Sequence, residues 1–439
     1  MDDLASVLNT LVVVAVVAAL APLIVALLPG PRVPQIVLLI IGGILIGPEG
    51  LGLADPAVLI LLANIGLGLV FLLAGYELDP AVFGERAGRL ALVGWVIAVG
   101  LAAGLVGVLE AIGFVHAFVP VALALTTTAL GTLLPILRDH DLLAGRFGRY
   151  ILAAGAVGEL LPILGIAIFL GAHSQFVGIL SLASVGVLAV ILSFAPRLAR
   201  GSRIERVFKE GEHSTSQTTL RFSIVLLLFL LAAAAQFGLD VVLGAFLAGM
   251  VLRRWAPGDV RSLEEKLDAV GYGFFIPVFF VVSGMNLDVD SIVQAPLRLL
   301  VFFMLLLVVR GLPALLVYRR ALPMTQRLQM MFITATALPL LVALAEIGLR
   351  NGTMLPANAA ALVGAGVLSV IVYPAVAVAI GARRTARDQA APTSAEPRNE
   401  PLAPGPTAEP ASPRAPREPV AHADDAEPDE RPGPAATRR

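Results

Sequence analysis

The sequence contains no cysteine, which excludes disulfides, thiolate metal sites and cysteine nucleophiles together. Histidine is nearly as scarce. His116, His140, His173, His213 and His422 all fall in predicted loops or near the C-terminal end, so no histidine relay or metal cluster is expected inside a membrane. Charge is sparse as well, at 14% against 58% hydrophobic residues, with a mean hydropathy of +0.88. That balance excludes a soluble globular chain and implies a polytopic membrane protein, all α-helical in class. The C-terminal segment carries no strand pattern and no Gly-x-Gly-x-x-Gly opening a helix, so no nucleotide-binding domain is expected. The role implied is non-enzymatic and cofactor-free, with no nucleotide or nucleic-acid partner.

What is present is a series of apolar runs bounded by proline, glycine or charge. They predict thirteen helices over about residues 4 to 28, 33 to 47, 57 to 77, 88 to 114, 117 to 137, 149 to 171, 176 to 195, 219 to 238, 239 to 252, 267 to 287, 297 to 319, 328 to 349 and 355 to 382. The first run has no basic residue before it and reaches Leu28, which reads as a retained helix rather than a cleaved signal. The eighth and ninth runs have almost no loop between them. An odd number of helices puts the termini on opposite sides. With the N-terminus outside, twenty-two Lys and Arg residues fall on the inner side and only Arg298 and Arg350 on the outer, so the C-terminus is expected in the cytoplasm. Residues 1–384 read as the membrane domain. From about residue 385 the composition turns to Pro, Ala, Glu and Arg, which predicts a disordered tail over 385–439. The loop from 197 to 216 is basic, with arginines at helical spacing, and reads either as a headgroup-surface segment or as a solvated linker.

One stretch demands explanation. Leu152-Ala-Ala-Gly-Ala-Val-Gly-Glu-Leu-Leu-Pro162 is apolar except for Glu159, and an ionisable side chain at membrane depth costs several kcal/mol unless it faces protein or water. Pro162 cannot donate to the carbonyl of Gly158, so a free carbonyl oxygen is expected beside the carboxylate. A carboxylate next to a spare carbonyl suits a small hard cation.

The fifth run contains Leu125-Thr-Thr-Thr-Ala-Leu-Gly-Thr-Leu-Leu134 and the twelfth Ile333-Thr-Ala-Thr-Ala-Leu-Pro-Leu-Leu-Val342. Seven helices apart, the two run in opposite directions, as an inverted-topology repeat of helices one to six against eight to thirteen requires. Helix breakers occur in both, Gly131 and Pro135 in the first and Pro339 in the second. Such segments point to unwound helices around a midplane site. Thr127, Thr128 and Thr336 become candidate ion ligands with Glu159 and Gly158. The plainer reading is that the threonines back-bond within ordinary helices and the prolines only kink them.

Arg310 lies well inside the eleventh run. It cannot shed its charge by losing a proton, so Glu159 is its expected partner, with snorkelling to an interface as the rival. Glu346, Glu110, Glu77 and Asp79 lie at helix ends and read as interfacial charges. Asp240, between the eighth and ninth runs, reads as solvated. Phe279 and Phe280 read as lipid-facing or packing residues.

Four stretches in order, Gly43-Ile-Leu-Ile-Gly-Pro-Glu-Gly-Leu-Gly-Leu53, Phe71-Leu-Leu-Ala-Gly-Tyr-Glu-Leu-Asp79, Gly244-Ala-Phe-Leu-Ala-Gly-Met-Val-Leu252 and Phe274-Phe-Ile-Pro-Val-Phe-Phe-Val-Val-Ser-Gly-Met285, resemble motifs of the monovalent cation:proton antiporter-2 family, which includes Kef-type potassium efflux proteins and bacterial sodium/proton antiporters. The resemblance covers about residues 4 to 382. It implies antiport of Na+ or K+ against H+ in a bacterial plasma membrane, thirteen helices and a homodimer. It also implies elevator-like movement of a core, helices four to six and eleven to thirteen, against a scaffold, helices one to three and eight to ten. The family's ion-binding acidic residue falls on Glu159 and its basic residue on Arg310. Two departures stand out: the family usually has Asp preceded by Asp, Asn or Gln where this chain has Gly158-Glu159, and the soluble domain of Kef-type members is missing. A single carboxylate favours one proton per cation.

Two other readings remain open from the residues. One is a symporter of a small organic anion held by Arg310 and helix N-termini. The other is a membrane sensor or assembly protein that has lost transport.

Overall fold

A computed structural model describes residues 2–27, 34–78, 80–171, 175–194, 217–255 and 260–390. Asp79, the basic loop at 197–216 and the tail from 391 lie outside the described residues. Within them the chain is helical throughout, with no strand. Its helices are α1 (Asp2–Leu27), α2 (Gln35–Ile46), α3 (Ile60–Glu77), α4 (Arg86–Ala111), α5a (Phe118–Leu125), α5b (Leu130–Asp139), α6 (Gly145–Phe169), α7 (Gln175–Ser193), α8 (Thr218–Gln236), α9 (Val241–Trp255), α10 (Val260–Val270 continuing to Met285), α11 (Pro296–Leu306 continuing to Val317), α12a (Met324–Ala335), α12b (Pro339–Arg350) and α13 (Pro356–Ala390). Ten helical segments among the described residues are long and apolar enough to cross a membrane, and α2 and the α5 segment are shorter apolar helices. The chain is a multi-pass membrane protein.

The division between the eighth and ninth runs is real. Gly238 adopts φ +69, which ends α8 in a left-handed cap, with Leu239 N–H reaching back to the Ala234 carbonyl at 2.9 Å. Asp240 then caps α9 by accepting Val242 N–H at 2.9 Å, so it is a half-buried capping residue rather than a solvated one. At the other end, α13 runs past the expected stop at 382 to Ala390. The Gly-Ala-Arg-Arg-Thr-Ala-Arg stretch there is mostly good helix former.

Glycine sets the tightest packing. A β-carbon on Gly75 would stand 2.1 Å from the Phe246 carbonyl oxygen, and one on Gly249 2.0 Å from that of Leu72, so α3 and α9 meet backbone to backbone. The pair α10 and α2 repeats the device: Gly284 lies against the Ile40 carbonyl (2.2 Å) and Gly43 against that of Val281 (2.1 Å). These glycines belong to the four motif stretches, and the reciprocal contacts are what an inverted repeat produces.

Both predicted crossing helices are broken. In α5 the break covers Thr126 to Ala129, because the Thr126 and Thr127 hydroxyls donate to the Leu123 and Ala124 carbonyls at 2.7 and 2.8 Å and terminate α5a. In α12 it covers Thr336 to Leu338, directly before Pro339, which opens α12b as its first residue. The Ala129 N–H donates to the Thr336 carbonyl at 2.9 Å, joining the two breaks. Gly131 and Pro135, expected as breakers, instead lie inside α5b. The threonines end the helix before either residue is reached.

Prolines also leave their mark on α10 and α11. Pro277 and Pro313 lack the N–H that would bond to Gly273 and Val309, and each helix accommodates this with a π turn just upstream, Gly271–Phe275 and Leu307–Gly311. Arg310 sits in the second.

Candidate functional site

Glu159 is buried on α6, at 9% exposure. Its Oε1 accepts Leu130 N–H at 2.7 Å and Gly131 N–H at 3.4 Å. Both amides belong to the first turn of α5b and have no intrahelical acceptor, because the chain before them is unwound. The positive end of a half-helix therefore points at the carboxylate. Pro162 lies inside α6, and the Gly158 carbonyl it releases is not left free: Thr128 N–H donates to it at 3.0 Å. The expected spare oxygen is thus taken up by an amide that the break in α5 has also released. Two defects in different helices satisfy each other.

The expected pairing of Arg310 with Glu159 does not form. Arg310 is 3% exposed; its Nε donates to Thr128 Oγ1 at 2.9 Å and its Nη2 to the Ala154 carbonyl at 2.7 Å. Thr128 Oγ1 in turn donates to the Thr334 carbonyl at 2.7 Å. The guanidinium therefore braces α6 and the two breaks through neutral acceptors, and its burial rules out the snorkelling alternative as well. Space for it exists because residue 158 is glycine: a β-carbon there would meet Nη2 and Thr128 Oγ1, each at 2.6 Å.

A cavity of about 40 Å³ opens beside Glu159, room for one cation with a water or two. Glu77, Thr132, Gly131 and Tyr272 also line it. Glu77 is the main residue that its position at the end of α3 disguised. Its Oε2 lies 3.9 Å from where a β-carbon of Gly131 would be, so it is no interfacial charge but a second carboxylate facing the same cavity. The Gly-Tyr-Glu-Leu-Asp motif was the available signal; which way the carboxylate turns depends on α5b packing against α3. Arg253 Nη1 donates to the Tyr76 and Glu77 carbonyls at 2.8 and 3.2 Å and finishes that helix end.

The threonines divide differently from expectation. Thr128 lines the cavity with its hydroxyl engaged as described. Thr127 and Thr336 are fully buried, away from the cavity lining, and their hydroxyls donate to the Ala124 and Phe332 carbonyls at 2.8 and 3.1 Å. Thr132, not singled out from sequence, has a buried hydroxyl without a hydrogen-bond partner among the described residues and lines the cavity. Phe280 lines it too and is completely buried, so it packs the interior rather than facing lipid. Two carboxylates and a spare hydroxyl facing one cavity are oxygen donors of the kind a hard monovalent cation takes, and either carboxylate can instead carry a proton.

Comparison with known proteins agrees in kind. The family model described as sodium/hydrogen exchanger, transmembrane, matches residues 13–381. A Bacillus subtilis (strain 168) protein, YjbQ, whose name marks it as a candidate Na(+)/H(+) antiporter, is 30% identical over 318 residues, covering 68% of this chain and 50% of YjbQ. The glutathione-regulated potassium-efflux system protein KefC of Escherichia coli (strain SMS-3-5 / SECEC) is 29% identical over 299 residues, covering 62% of this chain and 44% of KefC. The chain thus spans about half the length of these relatives. Among solved structures, the sodium proton antiporter MjNhaP1 from Methanocaldococcus jannaschii superposes with a TM-score of 0.57 at 16% identity, covering 88% of this chain and 98% of that one.

Proposed function

The chain belongs to the sodium/hydrogen exchanger family, and from that premise we propose that it exchanges a monovalent cation, Na+ or K+, for H+, with Glu159 binding the two alternately. The observation that carries this reading is the seat of Glu159: a buried carboxylate held by the α5b amides at the edge of a cavity that a second carboxylate shares. A proton on Glu159 removes the charge that attracts the cation, and the cation excludes the proton, which is the competition an exchanger needs. Glu77 and the Thr132 hydroxyl serve as the further ligands.

In this reading the core of α4 to α6 and α11 to α13 moves against a scaffold of α1 to α3 and α8 to α10 within a homodimer in a bacterial plasma membrane. The surplus of arginine and lysine on one side supports a cytoplasmic C-terminus, and in this reading the cavity beside Glu77 opens toward the cytoplasm. Anion symport fits poorly, because Arg310 Nε and Nη2 are bonded to protein acceptors and the residue is absent from the cavity lining.

The test uses everted vesicles in which respiration has made the lumen acid. Adding NaCl or KCl should discharge part of the gradient, as read by a pH-sensitive dye. Absence of any response in the wild type, or an undiminished response in Glu159→Ala, would overturn the proposal.

A further inference from the structure

A second cavity, of about 80 Å³, lies between scaffold and core at the end of the molecule remote from Glu77. Ala63 of α3, Ser283 and Asn286 of α10, Glu346 of α12b and Ala359 of α13 line it. It is the repeat-related counterpart of the first. The shift in numbering that carries Gly75 to Gly284, and Leu72 to Val281, in the reciprocal glycine contacts also carries Val70, Leu73, Ala74 and Glu77 of the first cavity to Phe279, Val282, Ser283 and Asn286 of the second. Run backwards it carries Tyr272 to Ala63, again one lining residue to another. Both cavities therefore use the same faces of α3 and α10, seen from opposite sides of the membrane.

The two differ in where the charge sits. Glu77 has the neutral Asn286 as its counterpart, but the second cavity gains a carboxylate from α12b in Glu346. The shift that carries Thr128 to Thr336 carries Arg138 to this residue, so the repeat has an arginine where the second cavity has an acid. No hydrogen bond or ion pair engages Glu346 among the described residues. The charged groups within its electrostatic reach are Arg350, one turn further along α12b, and Asp240 at the start of α9. Asp288, at the cavity rim, is already committed to capping, with one oxygen accepting Ser291 N–H at 2.9 Å.

We propose that this cavity is a second cation station, in which Glu346 supplies the negative charge and Ser283 and Asn286 supply neutral oxygens to a partly hydrated monovalent cation. It rests on the antiport reading above. This cavity offers the ion one uncommitted carboxylate where the first has both Glu77 and Glu159, so the ion keeps more of its water here and is held less tightly, as suits a station for release and capture at the outer face. Its walls come from the same scaffold helices and from the repeat-related core helices, placing it on the route by which Glu159 meets the other side.

The experiment is a comparison of the two faces. Glu346→Gln is measured in right-side-out and everted vesicles, with Na+ and K+ titrated on the exposed side. The apparent KM at the outer face should rise about fivefold, the loss of one partly solvated charge interaction, with the cytoplasmic-face KM retained. A KM unchanged at both faces, or raised equally at both, overturns the inference. If Glu346→Gln fails to accumulate, Ser283→Ala carries the same expectation and the same refutation. Wild-type vesicles inactive from either side would instead refute antiport itself.

Discussion

Gly158 and Arg310 share one volume: a β-carbon on residue 158 would stand 2.6 Å from the Arg310 Nη2. Residue 158, beside Glu159, carries no side chain, and a guanidinium from another helix fills the space. Arg310 thereby ties Ala154 of α6 to Thr128 in the unwound part of α5, and this brace holds the backbone that presents Leu130 and Gly131 to Glu159.

Gly158→Ala should therefore destabilise the protein by about 1–3 kcal/mol, the usual cost of overpacking a filled interior. Arg310→Ala should also destabilise it, by leaving the Thr128 hydroxyl and the Ala154 carbonyl short of a donor. Because both changes act on one volume, the double variant should lose less than the two losses added together. Thermal unfolding of the purified proteins in detergent checks this, and strict additivity would contradict the shared volume.

Competition at one carboxylate has a definite sign with pH. As pH falls, Glu159 spends more time protonated and the cation has to displace the proton, so the apparent cation KM should rise, approaching about tenfold per pH unit on the acid side. Glu159→Gln should abolish exchange at every pH. Glu159→Asp, one methylene shorter, should weaken the contact with the Leu130 amide, now 2.7 Å, and raise KM while keeping the acid-side slope. Cation titrations at several pH values separate these outcomes.

Glu77→Gln should keep the fold, since the Glu77 backbone carbonyl and not its side chain accepts from Arg253. It should raise the cation KM by roughly tenfold, the loss of one charged ligand in a partly enclosed site. An unchanged KM would return Glu77 to the role of a helix-end charge.

Thr132 and Thr127 offer a matched contrast. Thr132→Val removes a hydroxyl that lines the cavity and has no hydrogen-bond partner among the described residues, so it should raise KM about threefold to tenfold, the worth of a single neutral ligand. Thr127→Val removes a hydroxyl bonded to the Ala124 carbonyl and remote from the cavity, and should lower stability with KM intact. Equal effects of the two on KM would refute the assignment of Thr132.

Much of this architecture was legible along the chain. The apolar runs marked the helices and the matched threonine segments marked the crossing, whereas the left-handed Gly238 and the capping Asp240 that divide α8 from α9 emerged only in the structure. Glu159 stood out because an apolar helix has little reason to carry a carboxylate. Local breaks were harder to place: proline and glycine drew attention to Gly131 and Pro135, whereas the threonine back-bonds at Leu123 and Ala124 ended the helix first.

The sequence by itself determined that this is a polytopic helical membrane protein with an inverted repeat and one conspicuous buried acid, because composition and short-range spacing carry that information. Only the tertiary structure decided who meets whom. The donor to Glu159 comes from 29 residues away and the donor to Thr128 from 182, so the fate of the Gly158 carbonyl, the turn of Glu77 toward the cavity and the independence of Arg310 from Glu159 all depended on distant helices. Buried polar groups are satisfied by whichever partner the packing brings within reach, and charge alone predicted a pairing that a missing side chain at residue 158 redirected.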